Sequence, residues 1–422
     1  MPRYFRLVCP VEHMELVEDL LRAQEYSFTP VPFSPWARRL VDEPKPLGAS
    51  IAAAFGLIYI QDRSSMLAPL FLQPPDGGLV VDMCASPGSK SGLLAQLVGQ
   101  AGLVLANEPN ERRLGTLRHN LSAMNLAQVA TCCYPGQRLS LREGSMPYIL
   151  LDPPCSGWGT AERNPRIREI WPEHKLKPLV DLQRELLRQA SRMLAPGGRL
   201  LYSTCTTNAM ENQEQVQWAL DSLDLSASTM PVLPGVSSAV SRSGHRSWMQ
   251  VDAEVSEGQG FFFALLEKPG QADLEDAGHH VRFDMLGEPV DVRAFYGHES
   301  VSWEKLPPGR IVKFNKRVVF LHEKTGFFPK TLFWQGFELG RVHGRALHLN
   351  TRLRLLLPKF HSQAGLRIDD IRDLQALLQG RSLPLPAHLA QGVHAGPMGL
   401  YWRELPLGWL TVKGARCLWS PR

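Results

Sequence analysis

The strongest constraint on the fold is an alternation of short apolar runs and longer amphipathic stretches between residues 79 and 204. The apolar runs of strand length are residues 79–83, 103–106, 148–151 and 199–204. Helical periodicity separates them, as in residues 112–124 and in residues 179–194, which Pro196-Gly197-Gly198 would end. This pattern predicts an α/β fold with an open, mostly parallel, Rossmann-like sheet. Ligands bind such sheets beyond the carboxyl ends of the strands.

The texture of the sequence divides its 422 residues into three regions, in line with about 150 residues per domain. Residues 1–70 are rich in proline, and we expect them to pack on the domain that follows. Residues 71–270 hold the alternating pattern. Pro269-Gly270 and the polar stretch to His280 indicate a linker. Residues 281–422 are rich in short strand candidates, such as residues 310–320.

Charge is divided unevenly along the chain. Residues 281–422 hold 21 Lys+Arg against 11 Asp+Glu, whereas the whole chain has a formal net charge of +5. This favours contact with a polyanion, although a solvated basic face would give the same excess. The basic residues alternate with aromatic residues that could stack on RNA bases or form the core of a small β domain. The basic residues are Lys313, Lys316, Arg317, Lys324, Lys330, Arg341, Arg345, Arg352 and Arg354, and the aromatic residues are Phe314, Phe320, Phe327, Phe328, Phe333, Trp334 and Phe337.

Composition disfavours several classes of protein. No apolar run approaches the roughly 18 residues that cross a bilayer. Glu12, Glu15, Glu18 and Asp19 argue against a secretory signal peptide. The seven cysteines are odd in number and form no C-x-x-C pair, so a disulfide framework and a zinc ribbon are disfavoured. We therefore expect a cytoplasmic protein without a metal.

The first candidate site is a loop of small residues between a strand and a helix, within residues 82–90. Small residues let a ligand approach the backbone, and the helix N-terminus favours a carboxylate or a phosphate. The loop matches neither G-x-G-x-x-G nor a Walker A pattern, which disfavours NAD and ATP. Glu108 follows the next strand, where an acid can bind a ribose diol. Loop and acid together suit S-adenosylmethionine, and a tight turn without a ligand is the alternative.

Two further motifs place cysteines where strands end. Residues 152–155 read Asp-Pro-Pro-Cys, and the two prolines stiffen the chain where the Asp152 carboxylate emerges. Cys205 follows another strand. Most free cysteines are simply buried apolar residues. This interpretation covers Cys9, Cys84, Cys132, Cys133 and Cys417. Cys155 and Cys205 differ because they stand at strand ends above the cofactor-type loop.

Two thiols and an acid suit methylation of a pyrimidine at C5. That carbon is not nucleophilic until a thiolate adds to C6 and breaks the 5,6 double bond. C5 then attacks the methyl donor, a base removes the C5 proton, and the thiol leaves by elimination. This chemistry needs an activated cysteine, an acid at the N3/N4 edge of the base and a proton acceptor.

These motifs resemble those of the Nol/Nop/Sun family of RNA cytosine-C5 methyltransferases. The resemblance rests on residues 82–90, 152–157 and 203–206, in the family's order, and extends to residues 56–66 and 260–264. It implies an S-adenosylmethionine-dependent methyltransferase domain for residues 71–270. Gly340 and the Pro-Leu-Gly-Trp sequence at residues 406–409 are more weakly similar to the PUA-like C-terminal part of a bacterial ribosomal-RNA member. Residues 281–422 are therefore expected to be a PUA-like, β-rich RNA-binding domain.

The resemblance also implies roles for the matching residues. Cys205 corresponds to the nucleophile that adds to C6, and Cys155 to the second cysteine, which assists product release. Asp152 corresponds to the acid that binds the base edge near the cofactor. Lys90 corresponds to the lysine that closes the cofactor loop and supports this acid. Glu108 corresponds to the ribose-binding acid, with Arg113 beside it. The implied cofactor-binding residues are Cys84, Ala85, Ser86, Pro87, Gly88, Ser89, Lys90, Glu108, Arg113 and Asp152.

Two features depart from the family pattern. The N-terminal part is short, and the tail reads Gly-Trp-Leu-Thr-Val-Lys at residues 408–413, without the usual basic residue directly after the Gly-Trp pair, which weakens the transfer of one particular RNA target. The second departure is at residue 135. Pro135 stands where the family usually has an aspartate near the adenine amine, so we expect backbone groups to make that contact.

The leading interpretation is a monomeric RNA cytosine-C5 methyltransferase that acts on ribosomal RNA, with transfer RNA as the second choice. Asp-Pro-Pro also occurs in enzymes that methylate exocyclic amines, but those use an aromatic residue where Cys155 stands. A non-catalytic RNA-binding ribosome-assembly factor on the same fold is the third interpretation, and Pro135 is its only support.

Overall fold

The computed structural model describes residues 2–236, 247–251, 257–271, 287–296, 298–344, 346–361, 363, 365–390 and 398–420. Most of the predicted linker, residues 272–280, lies outside the described residues, and so does Arg345 of the basic tail. Within the described ranges, no helix combines the length and the apolar character that crossing a membrane requires.

An antiparallel sheet forms the N-terminal region. Its strands are β1 (Tyr4–Leu7), β2 (Ser27–Val31), β3 (Ser34–Asp42) and β4 (Ile58–Ile60), in the order β2-β3-β1-β4. Two helices accompany it, α1 (Met14–Arg22) and α2 (Ile51–Ala54). Helix α1 is amphipathic and buries its apolar face, and α2 begins at Ser50, whose hydroxyl accepts a hydrogen bond from Ala53 N.

The middle of the molecule confirms the prediction of a Rossmann-like α/β fold. The strands of its sheet are β5 (Leu79–Asp82), β6 (Leu103–Asn107), β7 (Val129–Cys132), β8 (Met146–Leu151), β9 (Leu194–Thr204), β10 (Ser226–Ala227), β11 (Trp248–Val251) and β12 (Phe261–Glu267), with a ninth strand from the C-terminal region. Strands β9-β8-β5-β6-β7 are neighbours in that order and pair in parallel, whereas β12 joins β9 antiparallel.

Helices cover both faces of this sheet, as expected for a parallel sheet that is buried on both sides. They are α3 (Arg63–Leu72), α4 (Ser89–Val98), α5 (Glu111–Met124), α7 (Lys177–Met193) and α8 (Gln213–Ser222), whereas the short helix α6 (Ile167–Ile170) has no buried residue. The apolar residues of α3, α4 and α5 share one core with the sheet, and those of α7 and α8 share the core on the other face. Helix α7 ends at Met193, so Pro196-Gly197-Gly198 lie inside β9 and do not end the helix as predicted, because Leu194 already has extended backbone angles (φ −64°, ψ 128°).

The C-terminal region contains two further five-stranded sheets. The first has β13 (Glu288–Pro289), β14 (Gly309–Phe314), β15 (Arg317–His322), β17 (Phe337–His343) and β18 (Ala346–Leu349), and β16 (Trp334–Gln335) lies between its strands in sequence. The second has β19 (Gly365–Ile368), β20 (Leu383–Pro384), β21 (Met398–Trp402), β22 (Leu405–Lys413) and β23 (Arg416–Leu418), with helices α9 (Ile371–Leu378) and α10 (Ala387–Ala390). The strand predicted at residues 310–320 is instead a hairpin, because Asn315 turns the chain with a φ of +54°.

The C-terminal region is built into the rest of the molecule. Strand β16 pairs antiparallel with β7 and so extends the central sheet, with Trp334 opposite Cys132. The second C-terminal sheet shares one apolar core with the N-terminal region, where the rings of Phe55 and Trp419 lie 4.8 Å apart.

The expectation that the basic residues of the tail all face RNA is wrong for Arg354. It is buried, and its guanidinium donates to five backbone carbonyls. These belong to Val8, Phe55, Gly56, Ala123 and Met124. Arg354 therefore links the three regions, and its two terminal nitrogens are occupied by backbone carbonyls and do not face solvent. Of the seven aromatic residues, only Phe314 and Phe333 are exposed, which leaves most of them in cores.

Candidate active site

Neighbouring strands of the central sheet bring the predicted site residues to one edge. Asp82 ends β5, Glu108 follows β6, Asp152 follows β8, and Cys205 follows β9. Because these strands are parallel and adjacent, their carboxyl ends meet, and the loops that leave them form one candidate site.

A partly buried ion pair joins the loop after β5 to the Asp-Pro-Pro-Cys motif. Lys90 Nζ donates to Asp152 Oδ2 at 2.7 Å, and Ser203 Oγ donates to Asp152 Oδ1 at 2.8 Å. Burial acts to lower the pKa of Lys90, but the Asp152 charge and hydrogen bond, helped by Cys205 and Asp82, outweigh burial and raise that pKa. Lys90 therefore remains charged and holds Asp152 in a defined position, as its predicted role requires.

The two cysteines at the strand ends are in contact. Cys155 Sγ and Cys205 Sγ lie 3.4 Å apart, although 50 residues separate them in the chain. Their hydrogen bond, together with burial, raises the pKa of Cys155 well above its ordinary value. The same bond and the Lys90 charge lower the pKa of Cys205, against burial and the Asp152 charge. Of the two sulfurs, Cys205 therefore has the lower pKa, which makes it the better candidate for the thiolate that a nucleophile needs.

The loop after β5 is shaped for close approach. Gly88 has a φ of +103°, and a Cβ there would lie 3.0 Å from Leu117 Cδ1, so a larger residue would be strained. The peptide bond between Ser86 and Pro87 is cis. The Cys84 residue is partly exposed, whereas the sequence interpretation made it a buried apolar residue. Desolvation, with the charges of nearby acids, raises the pKa of its thiol well above the ordinary value.

Buried polar side chains form hydrogen bonds that fix the start of this loop. Ser91 Oγ donates to Asp82 Oδ2 at 2.7 Å, and burial raises the pKa of Asp82 to about 6. Asn107 Nδ2 donates to Met83 O at 3.1 Å and to Tyr134 O at 2.9 Å, which ties the loops after β5 and β7 together.

Glu108 and Arg113 form the second part of the predicted cofactor site. Glu108 is 1% exposed, and its Oε1 accepts a hydrogen bond from Asn110 N at 3.0 Å. Its Oε2 lies 3.5 Å from Arg113 Nη2, which also donates to Ser86 O at 3.2 Å. A carboxylate accepts about four hydrogen bonds, so Glu108 retains acceptor capacity for a diol. The residues present thus fit the ribose of S-adenosylmethionine.

Pro135 leaves carbonyl groups at the position of the missing family acid. The N–H of Tyr134 is committed to Asn107 Oδ1 at 3.0 Å, and proline has no N–H. The Tyr134 carbonyl accepts from Asn107 and keeps a second lone pair. The backbone at this position therefore offers an acceptor, the Tyr134 carbonyl, in place of a carboxylate.

The sequence reasoning missed Asn107 and Glu211, two buried polar residues that organise this edge. Each lies close to a predicted site residue, since Asn107 precedes Glu108 and Glu211 follows Cys205 by six positions. A polar residue near a strand end was the available signal. Among the residues with described positions, no group of three or more His, Cys, Asp or Glu could hold a metal ion.

Known proteins are similar to this chain over the domain that carries the site. Residues 69–267 match the family described as 16S rRNA methyltransferase RsmB/F. Ribosomal RNA small subunit methyltransferase F of Klebsiella pneumoniae (strain 342) is 36% identical over 262 residues, which are 60% of this chain and 55% of that protein. The chain thus spans about half the length of the curated relatives it matches.

Solved structures support the same fold. A methyltransferase homologue from Pyrococcus horikoshii is 32% identical, with a TM-score of 0.55 over 64% of this chain and 87% of that one. NSun6 from Pyrococcus horikoshii, solved with SFG, has a TM-score of 0.56 over 64% of this chain and 91% of that one. Its identity is 19%, so this second likeness concerns the fold alone.

Proposed function

Since the chain belongs to the 16S rRNA methyltransferase RsmB/F family, we propose that it methylates C5 of a cytosine in RNA, with S-adenosylmethionine as cofactor and ribosomal RNA as substrate. The observation that carries this proposal is the 3.4 Å contact between two thiols of unlike pKa beside the Lys90–Asp152 pair. Methylation of an exocyclic amine has no use for such a pair of thiols.

The chain's own residues account for activation of the base. The Cys205 thiolate forms a bond to C6, and the electron pair of the 5,6 double bond moves to C5. Bound S-adenosylmethionine supplies the electrophilic methyl group. Asp152, held by Lys90, binds the polar edge of the cytosine. When a base removes the C5 proton, the double bond re-forms and the C6–Sγ bond breaks, and Cys155 holds a proton next to the departing sulfur.

The Glu108→Ala variant is expected to bind S-adenosylmethionine at least about tenfold more weakly. The change removes two hydrogen bonds from the ribose to a charged acceptor, each worth about 1.5–3 kcal/mol. Isothermal titration calorimetry measures the affinity, and Glu111→Ala, at the exposed first position of the helix α5 that follows Glu108, serves as the matched control. Equal affinity of the Glu108 variant and the unaltered protein would remove Glu108 from the cofactor site.

We propose that the C-terminal region, including a PUA-like part, docks RNA through its exposed cations. Lys316, Lys330 and Arg341 are exposed, and they lie outside the buried network of Arg354. Because β16 and Arg354 build this region into the other two, charge substitution tests the proposal better than truncation does.

Replacing Lys316, Lys330 and Arg341 together with glutamine is expected to weaken RNA binding and to flatten its dependence on salt. Each phosphate contact contributes about −0.9 to the slope of log K against log[salt] for duplexes and about −0.7 for single strands. The slope should therefore become shallower by about 2, with cofactor affinity unchanged. Lys45→Gln, an exposed cation of the N-terminal region, is the control. An unchanged slope would make the basic excess a solvated surface.

Mapping of modified nucleotides tests the proposal as a whole. RNA from cells with and without the protein should differ by one or more C5-methylcytosines in ribosomal RNA. A difference confined to transfer RNA would change the substrate class, and a methyl group on the exocyclic amine would change the reaction. Absence of any change, together with absence of cofactor binding, would favour a non-catalytic RNA-binding protein.

A further inference from the structure

A buried carboxylate lies close to the two cysteines, and the proposed mechanism does not use it. Glu211 is 0% exposed and stands in the loop between β9 and α8. The two carboxylate oxygens of Glu211 accept hydrogen bonds from four donors. They are Ser156 N (2.9 Å), Ser156 Oγ (2.5 Å), Gln183 Nε2 (2.9 Å) and Asn208 Nδ2. In the described part of the chain, Glu211 has no ion pair with a lysine or arginine, so these hydrogen bonds alone compensate its burial.

Three of the four donors come from the two loops that carry a cysteine, and the fourth, Gln183, lies on α7. Ser156 adjoins Cys155, and its hydroxyl lies 2.7 Å from the hydroxyl of Thr206, which adjoins Cys205. Asn208 belongs to the Cys205 loop, and its Oδ1 accepts a hydrogen bond from Glu211 N at 2.9 Å. Tyr202 of β9 donates to Glu211 O at 2.7 Å, which fixes the backbone of Glu211 to the sheet. The carboxylate is therefore the common acceptor through which the two loops meet.

We propose that Glu211 is a positioning residue for the methyl transfer, whose carboxylate holds the Cys155 loop against the Cys205 loop and so keeps the two sulfur atoms in contact. The use of both thiols in a reaction rests on the proposed function. The contact between them rests only on the fold.

The charge of Glu211 also contributes to the difference between the pKa values of the two thiols. The hydrogen bond to Cys205 and burial raise the pKa of Cys155, and the charges of Asp152 and Glu211 add to that increase. The hydrogen bond from Cys155 and the Lys90 charge lower the pKa of Cys205, against burial and the Asp152 charge. Tyr202 is buried beside them, and burial raises its pKa well above the ordinary value, so it remains neutral. The negative charge of Glu211 thus favours the proton on Cys155.

The Glu211→Gln variant of the full chain tests this role. Glutamine has nearly the same shape, but its NH₂ group would face donors and leave at least one of them without an acceptor. We expect kcat for RNA methylation to fall about 100-fold, the loss that a misplacement of about 1 Å produces. The rate of alkylation by iodoacetamide can be measured at each cysteine, as a function of pH, by peptide mass spectrometry. In the variant, the pH midpoint for alkylation of Cys205 should move upward, and the difference between the midpoints of Cys205 and Cys155 should become smaller.

Two further variants make the test decisive. Glu214→Gln, at an exposed position on α8, should match the unaltered protein in kcat and in alkylation. Ser156→Ala removes the hydroxyl bridge but keeps the N–H bond to Glu211, so it should shift the alkylation midpoints in the same direction by less. If Glu211→Gln does not fold, as judged by cofactor binding, the kcat and the alkylation profile of Ser156→Ala test the proposal instead.

The outcomes separate this inference from the proposed function. The positioning role would be overturned if Glu211→Gln had the same alkylation profile and the same kcat as the unaltered protein. If Glu211→Gln does not fold, the same result for a folded Ser156→Ala variant would overturn it. If the unaltered protein methylates no RNA, the proposed function fails, and the alkylation profiles still show whether Glu211 sets the reactivities of the two thiols.

Discussion

The Cys205→Ala variant is expected to methylate no RNA and to form no covalent complex with it. The Cys155→Ala variant is expected to accumulate a protein–RNA complex that survives denaturation. Loss of the attacking thiol stops activation of C5 before any bond to the protein forms. Loss of the second thiol leaves attack and methylation possible but slows elimination, so the adduct persists. Denaturing gel electrophoresis with labelled RNA measures both outcomes.

The ionisation of the two sulfurs supports this division of roles. Because the hydrogen bond from Cys155 lowers the pKa of Cys205, the reactive thiolate should persist to lower pH than it does for an ordinary cysteine. The rate of methyl transfer should rise with pH through that depressed pKa and then level off. An unpaired cytosine should react best, since the base must leave any stack to reach the site.

Controls make the cysteine experiment interpretable. Burial raises the pKa of Cys9 to about 12, and Cys9 lies in the N-terminal region just after β1, not at the edge of the central sheet that carries the candidate site, so Cys9→Ala should methylate RNA normally. Trapping of RNA by Cys205→Ala but not by Cys155→Ala would reverse the two roles. Full activity of both variants would exclude the covalent mechanism.

The Arg354→Met variant is expected to lose at least about 4 kcal/mol of unfolding free energy. Methionine fills much of the volume but removes the Arg354 donor from five carbonyls. The Ala123 carbonyl keeps Asn125 Nδ2 as a donor, and each of the other four that is left unsatisfied costs about 1–3 kcal/mol. Urea denaturation followed by circular dichroism measures the change.

Two variants bracket the Arg354 experiment. Arg354→Lys keeps the charge but cannot reach five carbonyls from one ammonium group, so its loss should be intermediate. Arg381→Met, at an exposed position, should change stability by less than about 0.5 kcal/mol. A small loss in Arg354→Met would mean that the three regions are held together chiefly by their shared apolar cores.

The central fold and the residue types of the site could be predicted from the sequence because both follow from local patterns. Alternating apolar runs and helical periodicity identify a parallel sheet, and such sheets gather the carboxyl ends of their strands at one edge. This places Asp82, Glu108, Asp152 and Cys205 together without knowledge of any contact. The sequence therefore determined the architecture of the central domain and the candidate chemistry.

Only the tertiary structure decided which groups touch. The 3.4 Å contact of Cys155 with Cys205 joins residues 50 positions apart, and the Arg354 network joins residues as far apart as 346 positions. No periodicity in the sequence encodes such long-range neighbours. For the same reason, the sequence analysis took Arg354 for a phosphate-binding residue and did not identify Glu211, because the identity of a charged residue does not show whether it is buried or which groups it contacts. Those depend on which backbone and side-chain groups the packed regions bring within hydrogen-bonding distance.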